Sequence, residues 1–232
     1  MNNVLNILKY NFGKYNSGIS KILYIIAFIF LSLLAFGTFI KTPFIGEIVS
    51  VINIAVISTF LAVNLIVSII KFSLQISKDQ GKLLFTLPVN SWEYIIAKYI
   101  EFAILQGSIV LVVYIISIFS GNSIANIINL VSASTAFGTL IAYIIITSFI
   151  TIFSSYIHNT ALCVLAVIFL GGIIQSTVEI IKWIITGFLP YVYLRIGSFV
   201  EINLLSGTLS CLWIATLILI AIRHLDKKLD II

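Results

Sequence analysis

Neutral polar side chains recur at every fourth position of one long apolar stretch, residues 128–154. On an α-helix this spacing drifts by only ~40° per step, so these side chains follow one slowly winding face. Asparagines enter a second apolar stretch, residues 48–71. One interpretation is an uncharged path for a cargo, and the other is hydrogen bonding between packed helices. The candidate path residues are Asn53, Asn64, Thr135, Thr139, Tyr143 and Thr147.

Charged residues are scarce beside the apolar stretches. Lys98 and Glu101 are three residues apart, a spacing that allows an ion pair on a helix. We interpret them as a candidate cytoplasmic gate pair. Cys163 and Cys211 lie inside apolar runs without metal-ligand spacing and are interpreted as small buried hydrophobic residues. Since the apolar stretches contain no Ser/His, His/Glu or paired-Asp constellation, the sequence predicts neither a catalytic nor a metal site.

The composition indicates what solvent surrounds these residues. Of the 232 residues, 61% are hydrophobic and 9% are charged. A soluble domain has about 45–50% apolar and about 25% charged residues. The formal net charge of +5 comes from scattered basic residues rather than a dense stripe, so nucleic acid is not indicated. The chain is therefore predicted to be solvated largely by lipid.

Apolar stretches of transmembrane length alternate with short polar or charged interruptions. A span needs about 20 predominantly apolar residues. We predict an all-α integral membrane protein with six transmembrane helices, forming a single transmembrane domain over residues 1–232. The predicted spans are residues 22–40, 48–71, 95–119, 128–154, 159–178 and 202–222.

Two further segments are apolar but do not have the pattern of a span. Residues 1–20 place Val4, Leu5, Leu8 and Phe12 at helical spacing, which predicts an amphipathic interfacial helix; a frayed leader is the alternative. Residues 179–201 contain an apolar piece too short to cross a bilayer. That segment is predicted to form re-entrant or extracellular helices.

The basic residues predict the orientation. With the N-terminus in the cytoplasm, only Lys41, Lys182 and Arg195 of the thirteen lysines and arginines lie outside. Lys and Arg are enriched in cytoplasmic loops. The sequence thus predicts a multi-pass protein of the cell membrane with both termini in the cytoplasm.

Residues 73–91 form the predicted cytoplasmic loop between the second and third spans. Residues 78–82 are polar, Leu83, Leu84 and Leu87 then make a short apolar face, and Pro88 ends it. Such a helix suits a groove on a soluble partner, but an amphipathic loop resting on lipid headgroups explains the pattern equally well.

This order of residues resembles the cytoplasmic loop of the permease subunits of ABC type-2 transporters, whose usual form is close to E-x-x-G-T-x-E-x-L-L-x-x-L-P-x-S with a later G-K. The chain departs from that form at Lys82, Phe85 and Ala97. The matching positions are Asp79, Gly81, Leu83, Leu84, Leu87, Pro88, Ser91 and Lys98.

The resemblance implies that the loop is a coupling helix, docked on a separate ATP-binding subunit. The chain has no GxxxxGK[ST] motif, so ATP and Mg would bind to that partner and this chain would not be an enzyme. A second permease chain, identical or homologous, would complete the pore. The implied coupling residues are Lys78, Asp79, Gln80, Gly81, Lys82, Leu83, Leu84, Leu87 and Pro88.

The expected function is export of amphipathic or hydrophobic cargo, with toxic or antimicrobial peptides as the favoured class by resemblance. An ATP-independent accessory or immunity protein of the membrane is the main alternative. An ion-coupled carrier or intramembrane enzyme is disfavoured, because such proteins need ionisable residues at membrane depth.

Overall fold

The computed structural model describes residues 4–8, 25, 43–76, 90–120, 123–157, 159–189, 192–196 and 200–229. Residues 4–8 are helical. Three long helices follow: α1 (Pro43–Ile76), α2 (Ser91–Ser120) and α3 (Ser123–Ser154). Then come α4 (Thr160–Ala166), a π-helical turn (Val167–Gly171), α5 (Gly172–Phe188), strands β1 (Tyr193–Ile196) and β2 (Val200–Asn203), and α6 (Leu204–Leu229).

Five helical segments in the described part of the chain are long and apolar enough to cross a bilayer. Helices suit that role because every backbone N–H and C=O inside the hydrocarbon is bonded within the same segment. The helical class is thus confirmed, and the chain has the architecture of a multi-pass membrane protein. The segments are Val51–Ile76, Ser91–Ile116, Ile127–Ser154, Thr160–Phe188 and Leu204–Lys227.

Three predicted features fall on residues that the structure does not describe. The predicted span at residues 22–40 lies outside the described residues except for position 25, and the interfacial helix at residues 1–20 is described only at residues 4–8. Residues 77–89, the core of the predicted coupling loop, also lie outside.

The segment between the fifth and sixth predicted spans differs from its prediction. A single span-length segment runs from Thr160 to Phe188. The helix therefore continues about ten residues past the predicted end at position 178, which lengthens it by about 15 Å. Residues 179–188 belong to α5 instead of a separate re-entrant helix. No proline interrupts this stretch, and the two charges that seemed to end the span, Glu179 and Lys182, pair with each other one turn apart.

The remainder of that segment forms a two-stranded antiparallel hairpin, which corrects the prediction of helices there. Strand β1 pairs with β2 in a register that places Tyr193 opposite Asn203 and Arg195 opposite Glu201. Asn203 then caps α6, since its side-chain oxygen accepts hydrogen bonds from the backbone N–H groups of Leu205 and Ser206.

The chain divides into two compact units, Met1–Ile70 with Trp92–Tyr143 and Lys71–Ser91 with Ile144–Ile232. In the first unit, apolar side chains of α1, α2 and α3 meet in one buried cluster. The α1 members follow helical spacing, so they share a face. The cluster comprises Ile57, Leu61, Ile109, Val113, Ile128 and Ala136.

Candidate functional site

Gln106 of α2 lies at the centre of the first unit, where three helices meet. Its side chain is 2% exposed. The amide nitrogen Nε2 donates to the backbone carbonyl of Leu61 in α1 at 3.3 Å and to the hydroxyl of Thr139 in α3 at 3.1 Å. One amide thus joins α1, α2 and α3 beside the apolar cluster.

The orientation of this amide follows from its partners. The Leu61 carbonyl can only accept, and the Thr139 hydroxyl gives its proton to the Ala136 carbonyl at 2.9 Å. Both acceptors therefore require Nε2–H donors, which fixes which end of the Gln106 amide is nitrogen. Its Oε1 consequently remains as an acceptor, and no donor among the described residues reaches it.

Asn64 and Asn53 bring two more amides to α1. The Asn64 Nδ2 and the Asn53 Oδ1 are buried, and neither has a hydrogen-bond partner among the described residues. A helical carbonyl points along the axis toward the residues three and four positions later. The Leu61 carbonyl that Gln106 binds is therefore level with Asn64. We call Asn64, Gln106 and Thr139 the polar centre.

The polar centre lies within three candidate membrane spans. Asn64, Gln106 and Thr139 each fall near the middle of a candidate span. Hydrogen-bonding groups at that depth have no bulk water to satisfy them, and amides between apolar helices therefore mark either an interhelical contact or a site. Here Nε2 of Gln106 makes the interhelical contact, and its Oε1 has no hydrogen-bond partner among the described residues.

Lys98 and Glu101 form the ion pair that their spacing allows. Nζ of Lys98 lies 2.8 Å from Oε2 of Glu101, and the two side chains are only 4% and 8% exposed. Nζ also lies 5.9 Å from the centre of the Tyr94 ring, within reach of a cation–π interaction. A buried, internally neutral pair is the form in which charge is tolerated near a bilayer core.

Aromatic rings of α2 and α3 pack against each other in the first unit. Tyr143 of α3 stacks on Phe102 of α2 with centroids 4.2 Å apart, and its ring meets Tyr99 edge-on at 6.2 Å. Tyr143, predicted as a path residue, is thus buried in an aromatic contact between α2 and α3.

The predicted threonines differ in what they contact. Thr135 and Thr147 donate their hydroxyl protons to carbonyls of their own helix, at 2.8 and 3.2 Å. Thr147 belongs to the second unit. Thr139, in contrast, receives a hydrogen bond from the Gln106 side chain of another helix. The coupling residues of the loop lie outside the described residues.

Comparison with protein-family models, curated proteins and solved structures finds no match to this chain. The polar centre and the loop motif are therefore interpreted from their own residues.

The second unit contains a polar network that the sequence did not predict. Nε1 of Trp213 in α6 donates to Oε1 of Gln175 in α5 at 2.9 Å, and Nε2 of Gln175 donates to Glu179 at 3.2 Å. Glu179 pairs with Lys182, whose Nζ also donates to the Ser210 hydroxyl at 3.2 Å. The network ties α5 to α6 inside their candidate spans.

The expected placement of Glu179 and Lys182 changes with this network. Glu179 and Lys182 lie inside a candidate span, whereas the sequence placed them in an extracellular segment. The carboxylate binds both Lys182 and Gln175, so it has the contacts of a structural group. The sequence signal that could have revealed this polar face is the spacing of Gln175, Glu179 and Lys182, which stand at i, i+4 and i+7 on an apolar helix.

In the described part of the chain, no cluster of three His, Cys, Asp or Glu side chains could hold a metal.

Proposed function

We propose that this chain is the membrane-spanning permease subunit of an ATP-driven exporter of the ABC type-2 class. The observation that carries the proposal is the sequence of the segment between α1 and α2. Its Asp-x-Gly-x-Leu-Leu-x-x-Leu-Pro order, residues 79–88, falls between two helices that each have the length and composition of a span. A short apolar helix at the end of two spans could transmit movement of a soluble subunit into the membrane.

The polar centre supports the cargo class. Its side chains are amides and a hydroxyl without net charge, at the depth where a cargo would cross. A neutral, weakly polar interior favours amphipathic or hydrophobic molecules, including peptides, over small ions, because an isolated charge there costs several kcal/mol, roughly 2.5–3.5 on an insertion scale. Export from the cell membrane, with both termini in the cytoplasm, is part of the same proposal.

The test is co-purification of an ATP-binding chain from native membranes. We expect the tagged chain to retain such a partner, and Leu84→Ala in the loop to lose it because the apolar docking face is reduced. Leu111→Ala is the matched control: Leu111 is 58% exposed on α2, so the same truncation there leaves the loop intact.

Gly81→Val and Pro88→Ala extend the test to two further residues of the motif. Loss of the partner in the loop variants but not in Leu111→Ala supports coupling. A chain that never retains an ATP-binding partner contradicts the proposal and favours the ATP-independent accessory protein.

A further inference from the structure

Among the described residues, one acceptor and one donor of the polar centre have no hydrogen-bond partner. Both Nε2 protons of Gln106 are used, which leaves Oε1 as an acceptor, and the Nδ2 of Asn64 is left as a donor. A buried polar atom without a hydrogen bond destabilises the fold, because it has lost its hydration without compensation. Two such atoms at the same level of a helix junction would lower the stability of the fold unless another molecule forms hydrogen bonds with them.

A single group that satisfied both atoms would have to donate and accept hydrogen bonds at once. It donates to Oε1 of Gln106 and accepts from Nδ2 of Asn64. The atoms of the centre that make or lack hydrogen bonds are all uncharged, so nothing in it compensates a charged ligand. A water molecule and a secondary amide both fit these requirements, since each carries a donor and an acceptor.

We propose that Asn64 and Gln106 form a mid-membrane binding site for a neutral donor–acceptor group. Leu61 and Thr139 hold the Gln106 amide in the orientation that presents Oε1. The site does not depend on the exporter proposal: resident water can occupy it in any membrane protein, and an amide of a peptide cargo is the second source if the chain is a permease.

The experiment uses the full chain in lipid nanodiscs with glutamine side chains labelled with ¹³C and ¹⁵N, observed by solid-state NMR. The chain has four glutamines, Gln75, Gln80, Gln106 and Gln175, and the Gln106 signal is assigned by its loss in Gln106→Met. Magnetisation transfer from water to each carboxamide is then measured, with and without N-methylacetamide. Gln175 is an internal reference, because Trp213 and Glu179 already satisfy its oxygen and nitrogen.

We expect transfer from water to Gln106 that Asn64→Leu abolishes, because the second half of the site is gone. Ser134→Ala is the control in α3, since its exposed hydroxyl bonds a carbonyl of its own helix. This variant should leave the Gln106 signal unchanged.

The added amide distinguishes the two sources. Displacement of the water signal with a shift of the Gln106 carboxamide identifies a site that accepts amides. A water signal that N-methylacetamide leaves unchanged identifies a resident water, and either result supports the site. The proposal is overturned if wild-type Gln106 receives no transfer from water and does not shift with N-methylacetamide.

Discussion

At the residue scale, the buried charge of Lys98 and Glu101 illustrates how this chain tolerates polarity near lipid. The two groups neutralise each other at 2.8 Å, with Tyr94 beside the ammonium. Removing one member of a buried pair leaves an uncompensated charge, whereas removing both leaves apolar volume among aromatic rings.

We expect Lys98→Met and Glu101→Met each to lower the free energy of unfolding by about 3–5 kcal/mol, and the double variant Lys98→Met/Glu101→Met to recover most of that loss. Thermal unfolding in detergent measures the difference. A double variant whose loss equals the sum of the two single losses would show that each side chain acts independently of the other.

The residue scale also shows what the sequence could predict. The spacing of Lys98 and Glu101 allowed the ion pair that the structure contains. Gln106 was missed because its neighbours in sequence are apolar and its partners, Leu61 and Thr139, come from helices far along the chain. The only local signal was an amide inside a charge-free apolar stretch.

At the element scale, the helical segment from Thr160 to Phe188 contains a π-helical turn. The backbone of this turn lies close to the Phe149 ring at Gly171. Asn159 begins the segment, because its side-chain oxygen accepts from the N–H groups of Ala161 and Leu162. At the end of the turn, a Cβ on Gly171 would lie 3.3 Å from a ring carbon of Phe149, whereas one on Gly172 would meet nothing within 4 Å.

This contrast gives a matched pair of variants. Gly172→Ala should raise stability by up to about 1 kcal/mol through helix propensity alone. Gly171→Ala gains the same propensity but must displace the Phe149 ring, so its apparent melting temperature should be lower than that of Gly172→Ala. Equal melting temperatures would contradict the close approach of Gly171 and Phe149.

The α5–α6 network gives a second test of an element. Trp213→Phe removes the donor to Gln175, and hydrogen bonds between membrane helices contribute about 0.6 kcal/mol on average and up to about 1.7. We expect a loss of about 1 kcal/mol in unfolding free energy. Trp183→Phe is the control, because Trp183 is 77% exposed; an equal loss in both variants would contradict the network.

The same helix shows where sequence reasoning is weakest. Charges usually end a membrane span, so Glu179 was expected to end this one. The helix continues because Glu179, Lys182 and Gln175 satisfy one another and bond Ser210 and Trp213 of α6. Long-range partners of this kind cannot be identified from one apolar pattern, and neither can the hairpin that follows.

At the scale of the whole molecule, composition and apolar runs were enough to predict the class. Five segments long enough to span a membrane lie where five of the six spans were predicted. The segment Thr160–Phe188 extends beyond the predicted span at residues 159–178. The first predicted span lies outside the described residues, save for position 25. The distribution of Lys and Arg predicts the topology.

That topology is testable with reporter fusions after residue 232. With both termini in the cytoplasm, a C-terminal fluorescent protein should mature and a C-terminal alkaline phosphatase should be inactive. Placement of the phosphatase between β1 and β2, after residue 198, should make it active. The reverse pattern would contradict the predicted orientation and place the residue 77–89 loop outside the cell.

The most direct test of the central claim is ATP hydrolysis by the complex that this chain forms in its native membrane. The tagged chain, extracted in mild detergent and purified, should carry a stoichiometric ATP-binding subunit with vanadate-sensitive turnover. The proposal assigns that activity to the partner, because the 232 residues contain no GxxxxGK[ST] motif. A pure single chain without ATP hydrolysis would contradict the permease account.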